Sequence, residues 1–172
     1  FTALAPDFYH GKSTTEPDEA GSLMMALNIA DAEKVIQGAV KALLSDPACT
    51  STKAGVVGFC MGGQLSLFAA SINPQIGACV DFYGIHPNVQ PDFANLKAPV
   101  LGLFAEHDDY ASPAAVAALS ETLSQHRVEH EFKTYAGAPH AFFNSDRPAV
   151  YQHDAAEDAW QRVLEFLKRT LV

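Results

Sequence analysis

The chain has 172 residues, of which 48% are hydrophobic and 18% are charged, so a single globular domain with a substantial core is expected. Its formal net charge is -9, so it has too few positive charges to neutralise nucleic-acid phosphates. No apolar run approaches the ~20 residues that a membrane span needs. We therefore expect neither a nucleic acid nor a membrane as a partner.

The cysteines and histidines show no metal-binding pattern. Cys49, Cys60 and Cys79 are odd in number and lack metal-ligand spacing, which favours a reducing compartment over a disulfide framework. The histidines other than His140 likewise share no ligand spacing. We expect a cytoplasmic protein with no metal and no cofactor.

The first residues, 1–7, have the character of a strand already under way, without an initiator methionine. We therefore expect residues 1–172 to form a single domain that lacks its N-terminal part. Pro17 is a typical helix start, and apolar residues at helical spacing predict a second helix over 31–44. An apolar patch lies between them, and we interpret it as core, with a lid or pocket wall as the alternative. Its members are Leu23, Met24, Ala26 and Leu27.

The stretch 54–63 predicts a buried strand that leads directly into a helix. At the junction lies Gly58-x-Cys60-x-Gly62, the nucleophile-elbow pattern with cysteine in place of serine. The central residue of an elbow has a cramped backbone, and glycines two positions away avoid collisions with the neighbouring strand and helix. The Met61 N–H, at the helix start, is placed to bind an oxyanion. The alternative is an ordinary turn with a packed thiol, since free cysteine is often buried.

The rest of the chain alternates between strand and helix patterns. Strands are predicted over 76–84, 100–105 and 128–135, helices from Pro113 and over 155–171, and a turn over 137–140. Alternation of this kind predicts an α/β fold, with an open, mainly parallel sheet and helices on both faces. Cys79, inside the second strand, is expected to be a small core residue.

Three titratable features fall at predicted strand ends, where ligands of such sheets bind. They occur in the order Cys60, then Asp108 or Asp109, then His140. Nucleophile, acid and histidine follow this order in α/β-hydrolases. A single histidine is more often structural or exposed, but the agreement of order, strand ends and elbow favours a catalytic His140.

Several segments, in order and across nearly the whole chain, resemble the dienelactone hydrolase (carboxymethylenebutenolidase) family. They are LAPDFY at 4–9, GFCMGG at 58–63, FYG at 82–84, EHD at 106–108 with SP at 112–113, and GAPHAF at 137–142. The resemblance implies an α/β-hydrolase fold and a triad of Cys60, His140 and Asp108. The two arginines that hold the dienelactone carboxylate in that family fall on Gly11 and Asn144. The family's upstream strand and glutamate-bearing loop would precede Phe1.

We therefore expect a hydrolase that cleaves a small-molecule ester or lactone through an acyl-cysteine intermediate. Met61 would supply an oxyanion-hole N–H, and Tyr83, Phe142 and Phe143 would line an apolar substrate site. The protein is expected to be a monomer or weak dimer. The competing hypothesis is a relative without catalysis, which binds acyl-like ligands or uses Cys60 as a redox-sensitive thiol.

Overall fold

The computed structural model describes residues 1–172, which divide into two compact units, residues 1–52 and 53–172. The first unit contains helices α1 (Pro17–Met25) and α2 (Ile29–Ser45). The Asn28 side chain caps α2 by accepting hydrogen bonds from the N–H groups of Ala30 and Asp31. Both predicted helices are present, and α2 buries one face along Ala32, Ile36 and Val40.

Two expectations for the first unit are wrong. Residues 1–7 form no strand, because a strand needs a partner for its backbone groups and none of the four strands pairs with them. The apolar patch is not core either, since Leu23, Met24 and Leu27 are only partly buried and Ala26 is exposed. Helix α1 ends at Met25, so Ala26 and Leu27 lie beyond it and the four residues do not form one buried helical face.

The second unit is built on one parallel sheet, as predicted. Its strands are β1 (Ala54–Phe59), β2 (Ile76–Phe82), β3 (Val100–His107) and β4 (His130–Pro139), and they lie in the order β1-β2-β3-β4. Every neighbouring pair is parallel. Helices α3 (Met61–Ile72), α4 (Pro113–Gln125) and α5 (His153–Leu171) complete this unit. None of the five helices combines the length and apolar character that crossing a bilayer requires.

Helices cover both faces of this sheet, as two glycines of β1 show. A Cβ on Gly58 would meet Ser66 of α3, whereas a Cβ on Gly55 would lie 2.8 Å from Leu167 of α5. Side chains three positions apart on a strand point to opposite faces. Helices α3 and α5 therefore lie on opposite sides of β1, and the fully buried Cys79 belongs to the core between them, as predicted.

The predicted turn at 137–140 belongs largely to β4, which ends at Pro139. Pairing persists because β3 also runs further than predicted, and His107 lies opposite Pro139 after a register shift. The Gly137 N–H donates to the Glu106 carboxylate at 2.7 Å and stabilises this extension. The two neighbouring strands therefore end together, and Asp108 directly follows β3 as His140 directly follows β4.

Candidate active site

Cys60 occupies a strained junction between β1 and α3. Its backbone has φ 55° and ψ -125°, a region that residues other than glycine rarely adopt. The Cys60 N–H donates to the Phe82 carbonyl oxygen at 2.9 Å, and its own carbonyl accepts from the Gly63 N–H at 2.8 Å. These bonds hold the thiol beyond the carboxyl edge of the sheet, as the elbow pattern predicts.

The glycines around the elbow have different roles from those expected. A Cβ on Gly58 would overlap the Gly62 carbonyl, so that position requires glycine. Gly62 itself borders open space, because a Cβ there would meet nothing within 4 Å. The second close approach is at Gly63, where a Cβ would overlap Oδ1 of Asp81. The expectation that Gly62 avoids a collision is therefore wrong.

Asp108 and His140 meet at the ends of β3 and β4. Asp108 Oδ2 lies 2.7 Å from His140 Nδ1, and since a carboxylate only accepts, Nδ1 is the donor. Asp108 Oδ1 accepts from the N–H groups of Tyr110 and Ala111 at 2.8 and 2.9 Å. The Asp108 side chain is fully buried, whereas Asp109 is exposed. The contact to His140 is therefore made by Asp108.

His140 also hydrogen-bonds Cys60, and because Nδ1 faces Asp108, Nε2 is the nitrogen left for the thiol. This hydrogen bond lowers the pKa of Cys60 below its ordinary value, against the opposing effect of burial, and the Met61 N–H lowers it further. Burial lowers the pKa of His140, but the hydrogen bonds to Cys60 and Asp108 outweigh it and the net pKa is raised. Both directions favour a thiolate beside an imidazolium.

Two tyrosine rings contact the His140 ring. Tyr83, at the end of β2, is 3% exposed and meets His140 edge-on with ring centroids 5.0 Å apart. Tyr110 is 75% exposed and has its centroid 4.9 Å from His140. Tyr110 is not among the predicted site residues, although its position two residues after the acid could have pointed to it.

The two phenylalanines of the predicted substrate site have different surroundings. Phe142 is fully buried, with its ring centroid 5.5 Å from Tyr83 and 5.0 Å from Tyr135. Phe143 is partly exposed and stacks on Phe59 at 5.3 Å. Phe143 is thus accessible to a ligand, whereas Phe142 supports Tyr83 from inside the core.

A parallel sheet with helices on both faces, and a cysteine, an acid and a histidine directly after β1, β3 and β4, define an α/β-hydrolase fold. Residues 1–171 match the model of the dienelactone hydrolase family. The chain belongs to that family of hydrolases.

The chain is also similar in sequence to two curated relatives and in fold to a solved structure. Over 175 residues the chain is 38% identical to Protein usf of Aquifex pyrophilus, covering 99% of this chain and 76% of that protein. It is 30% identical to the carboxymethylenebutenolidase homolog of Homo sapiens, covering 98% of this chain and 71% of that one. A dienelactone hydrolase-like promiscuous phosphotriesterase, P91 from metagenomic libraries, shares the fold with a TM-score of 0.76 at 19% identity, covering 90% of this chain and 67% of that chain.

Proposed function

We propose that the protein hydrolyses small esters or lactones through an acyl-cysteine intermediate, with Cys60 as nucleophile, His140 as general acid and base, and Asp108 as the group that orients His140. The observation that supports this most directly is the continuous contact from the Cys60 thiol through the His140 ring to the buried Asp108 carboxylate. This is the arrangement that nucleophilic catalysis requires.

In the first step, the Cys60 proton passes to His140 Nε2 and the thiolate attacks the ester carbonyl carbon. A C–S bond forms, and the carbonyl electron pair moves onto oxygen. The Met61 N–H, at the start of α3, donates to this oxyanion. The tetrahedral intermediate collapses, the C–O bond to the leaving group breaks, and the leaving oxygen takes the proton from His140.

In the second step, water attacks the thioester. His140 accepts a water proton, the new hydroxyl oxygen bonds to the acyl carbon, and the C–S bond breaks. The acid is released, and the sulfur leaves as the thiolate. Throughout both steps Asp108 keeps the proton on Nδ1, so that Nε2 faces the reacting atoms.

For the substrate, we propose a small neutral ester rather than the anionic dienelactone. The family's clamp arginines correspond to Gly11 and Asn144, which cannot pair with a carboxylate charge. The net charge of -9 gives no long-range attraction for an anion. Phe59 and Phe143, both accessible, and the exposed Tyr110 instead offer aromatic surface near the elbow.

The test compares kcat/KM for p-nitrophenyl acetate, p-nitrophenyl butyrate and dienelactone at low and high salt. We expect a preference for the neutral esters that salt hardly changes. Mass spectrometry after rapid quenching should find an acyl group on Cys60 in the wild type, and none in Cys60→Ala. Cys49→Ser is the matched control and should keep full activity.

Two outcomes would contradict the proposal. A clear preference for dienelactone that Arg147→Ala abolishes would show that the exposed Arg147 provides a clamp in place of the absent arginines. If Cys60 reacts with alkylating agents but the protein hydrolyses none of the esters, the proposed hydrolytic role is wrong, and Cys60 is a reactive thiol without a catalytic role.

A further inference from the structure

Asp81 is a buried acid at the centre of the sheet that the proposed reaction does not use. It is fully buried in β2, and its register partners are Gly58 in β1 and Gly102 in β3. A Cβ on Gly63 would overlap its Oδ1, and a Cβ on Gly84 would lie 2.5 Å from the same atom. Glycines thus leave room for the carboxyl directly behind the elbow.

The carboxyl closes the turn that follows β2. Asp81 Oδ1 accepts a hydrogen bond from the Gly84 N–H at 2.8 Å. Between them lies Tyr83, whose φ of 42° is in the left-handed region that a tyrosine rarely adopts. A strained residue keeps such a conformation only when surrounding bonds hold it. The Asp81–Gly84 bond spans the strained residue, and the Tyr83 ring contacts His140.

The remaining oxygen indicates the protonation state. Asp81 Oδ2 is buried and makes no hydrogen bond, whereas the other buried acid, Asp108, uses both of its oxygens. An ionised carboxylate with an unpaired buried oxygen is strongly unfavourable. Burial raises the pKa of Asp81 well above its ordinary range, and the Gly84 N–H only partly opposes this effect. Among titratable groups, the Cys60 thiol raises the pKa of Asp81 further, while Asp81 in turn raises the pKa of the Cys79 thiol, and neither thiol is a cation.

We propose that Asp81 is a positioning residue, whose carboxyl holds the strained Tyr83 turn so that the Tyr83 ring fixes the orientation of His140. The relevance to catalysis rests on the proposed function of Cys60 and His140. The carboxyl acts as a neutral acid, so it places no second negative charge next to the Cys60 thiolate. Asparagine has the same shape and keeps the acceptor oxygen, and it should therefore replace Asp81.

The experiment compares wild type, Asp81→Asn and Asp81→Ala, with the exposed Asp109→Asn as the matched control. In Asp81→Ala we expect kcat to fall by about 10- to 100-fold with KM little changed, because His140 is no longer held in place. The kcat of Asp81→Asn should stay within about threefold of the wild-type value, a much smaller change than that expected for Asp81→Ala. The His140 Cε1–H NMR signal, assigned by its absence in His140→Gln, should move in Asp81→Ala and stay in place in Asp81→Asn.

Three results would overturn this inference. A folded Asp81→Ala with unchanged kcat would remove the positioning role. Loss of activity in Asp81→Asn equal to that in Asp81→Ala would show that the acid itself, not its shape, is needed. A fall in the pH midpoint of Cys60 alkylation in Asp81→Asn would show that the wild-type carboxyl is ionised. If Asp81→Ala does not fold, Asp81→Ser takes its place.

The readouts separate this inference from the proposed function. If the wild type hydrolyses no ester, the proposed function fails. The alkylation midpoint of Cys60 and the NMR signal of His140 still test whether Asp81 holds the Tyr83 turn.

Discussion

A Cβ on Gly58 would overlap the carbonyl oxygen of Gly62, so the backbones of β1 and of the first turn of α3 are in direct contact. We expect Gly58→Ala to cost about 1–3 kcal/mol of stability or more, since backbone atoms cannot move aside as a side chain can. Gly62→Ala should be neutral or stabilising by up to about 1 kcal/mol, because alanine favours the helix and meets open space. Urea denaturation of both variants measures the difference. Equal losses of stability would contradict it.

The three cysteines should differ strongly in reactivity. Cys60 is partly accessible and has a lowered pKa owing to its hydrogen bond with His140, whereas Cys79 is fully buried and burial raises its pKa well above the ordinary value. Iodoacetamide at neutral pH, followed by peptide mapping, should label Cys60 first. Cys49, which is partly exposed and has no histidine partner among its hydrogen bonds, serves as the internal control. Preferential labelling of Cys49 or Cys79 would refute the assignment.

Removal of the His140 ring should change the titration of the thiol. The hydrogen bond with His140 is the largest effect that lowers the pKa of Cys60, and burial is the largest effect that raises it. In His140→Ala the burial remains, so the pH midpoint of Cys60 alkylation should move upward. His153→Ala, which replaces an exposed histidine, should leave the midpoint unchanged. A midpoint that stays in place in His140→Ala would mean that the thiolate owes nothing to His140.

Adjacent acids provide a matched pair for the orienting residue. In Asp108→Asn the Tyr110 and Ala111 N–H groups hold the amide oxygen, so the amide NH2 faces His140 and cannot accept from Nδ1–H. The kcat should fall by about 10²- to 10⁴-fold, as it does when serine triads lose the correct tautomer. Asp109→Asn changes an exposed side chain, so its kcat should stay within about threefold of the wild-type value, far from the loss expected for a triad acid. Steady-state hydrolysis of p-nitrophenyl acetate measures both variants. If Asp109→Asn rather than Asp108→Asn loses most of its kcat, Asp109 is the residue that orients His140.

Asp81 should make stability depend on pH. Its folded-state pKa is raised above the unfolded value, so the folded state binds the proton more tightly, and this stabilisation is lost as the pH rises from the unfolded pKa towards the folded one. Asp81→Asn has no such proton. Between these two pKa values, the wild type should therefore lose stability relative to Asp81→Asn as the pH rises. The difference between their free energies of unfolding should grow by about 1.4 kcal/mol per pH unit. Urea titrations from mildly acidic to neutral pH test this, and a constant difference would contradict a neutral Asp81.

The sequence pattern was sufficient to predict the parallel sheet, the elbow and the meeting of an acid with His140, because each rests on a local pattern and on the rule that parallel strands end at one edge. The pattern left Asp108 and Asp109 open, and the choice of Asp108 came from the family resemblance. It could not predict that β4 continues to Pro139, since the Glu106–Gly137 bond joins residues that are far apart in the chain. Asp81 escapes prediction for a related reason. Its neighbours include four glycines, which are Gly58 in β1, Gly63 in α3, Gly84 in the turn after β2 and Gly102 in β3. Most of these lie far from residue 81 in the sequence, so no local pattern shows them together.

The order of the strands has a consequence for the newly made chain. Cys60, Tyr83, Asp108 and His140 follow β1, β2, β3 and β4, and each strand lies beside the next in the sequence. A chain synthesised as far as α4 therefore contains the cysteine and the acid but not the histidine whose hydrogen bond lowers the pKa of the thiol. We therefore expect Cys60 to become reactive only after the last strand has joined the sheet. Alkylation of Cys60 during refolding would thus time the final step of assembly.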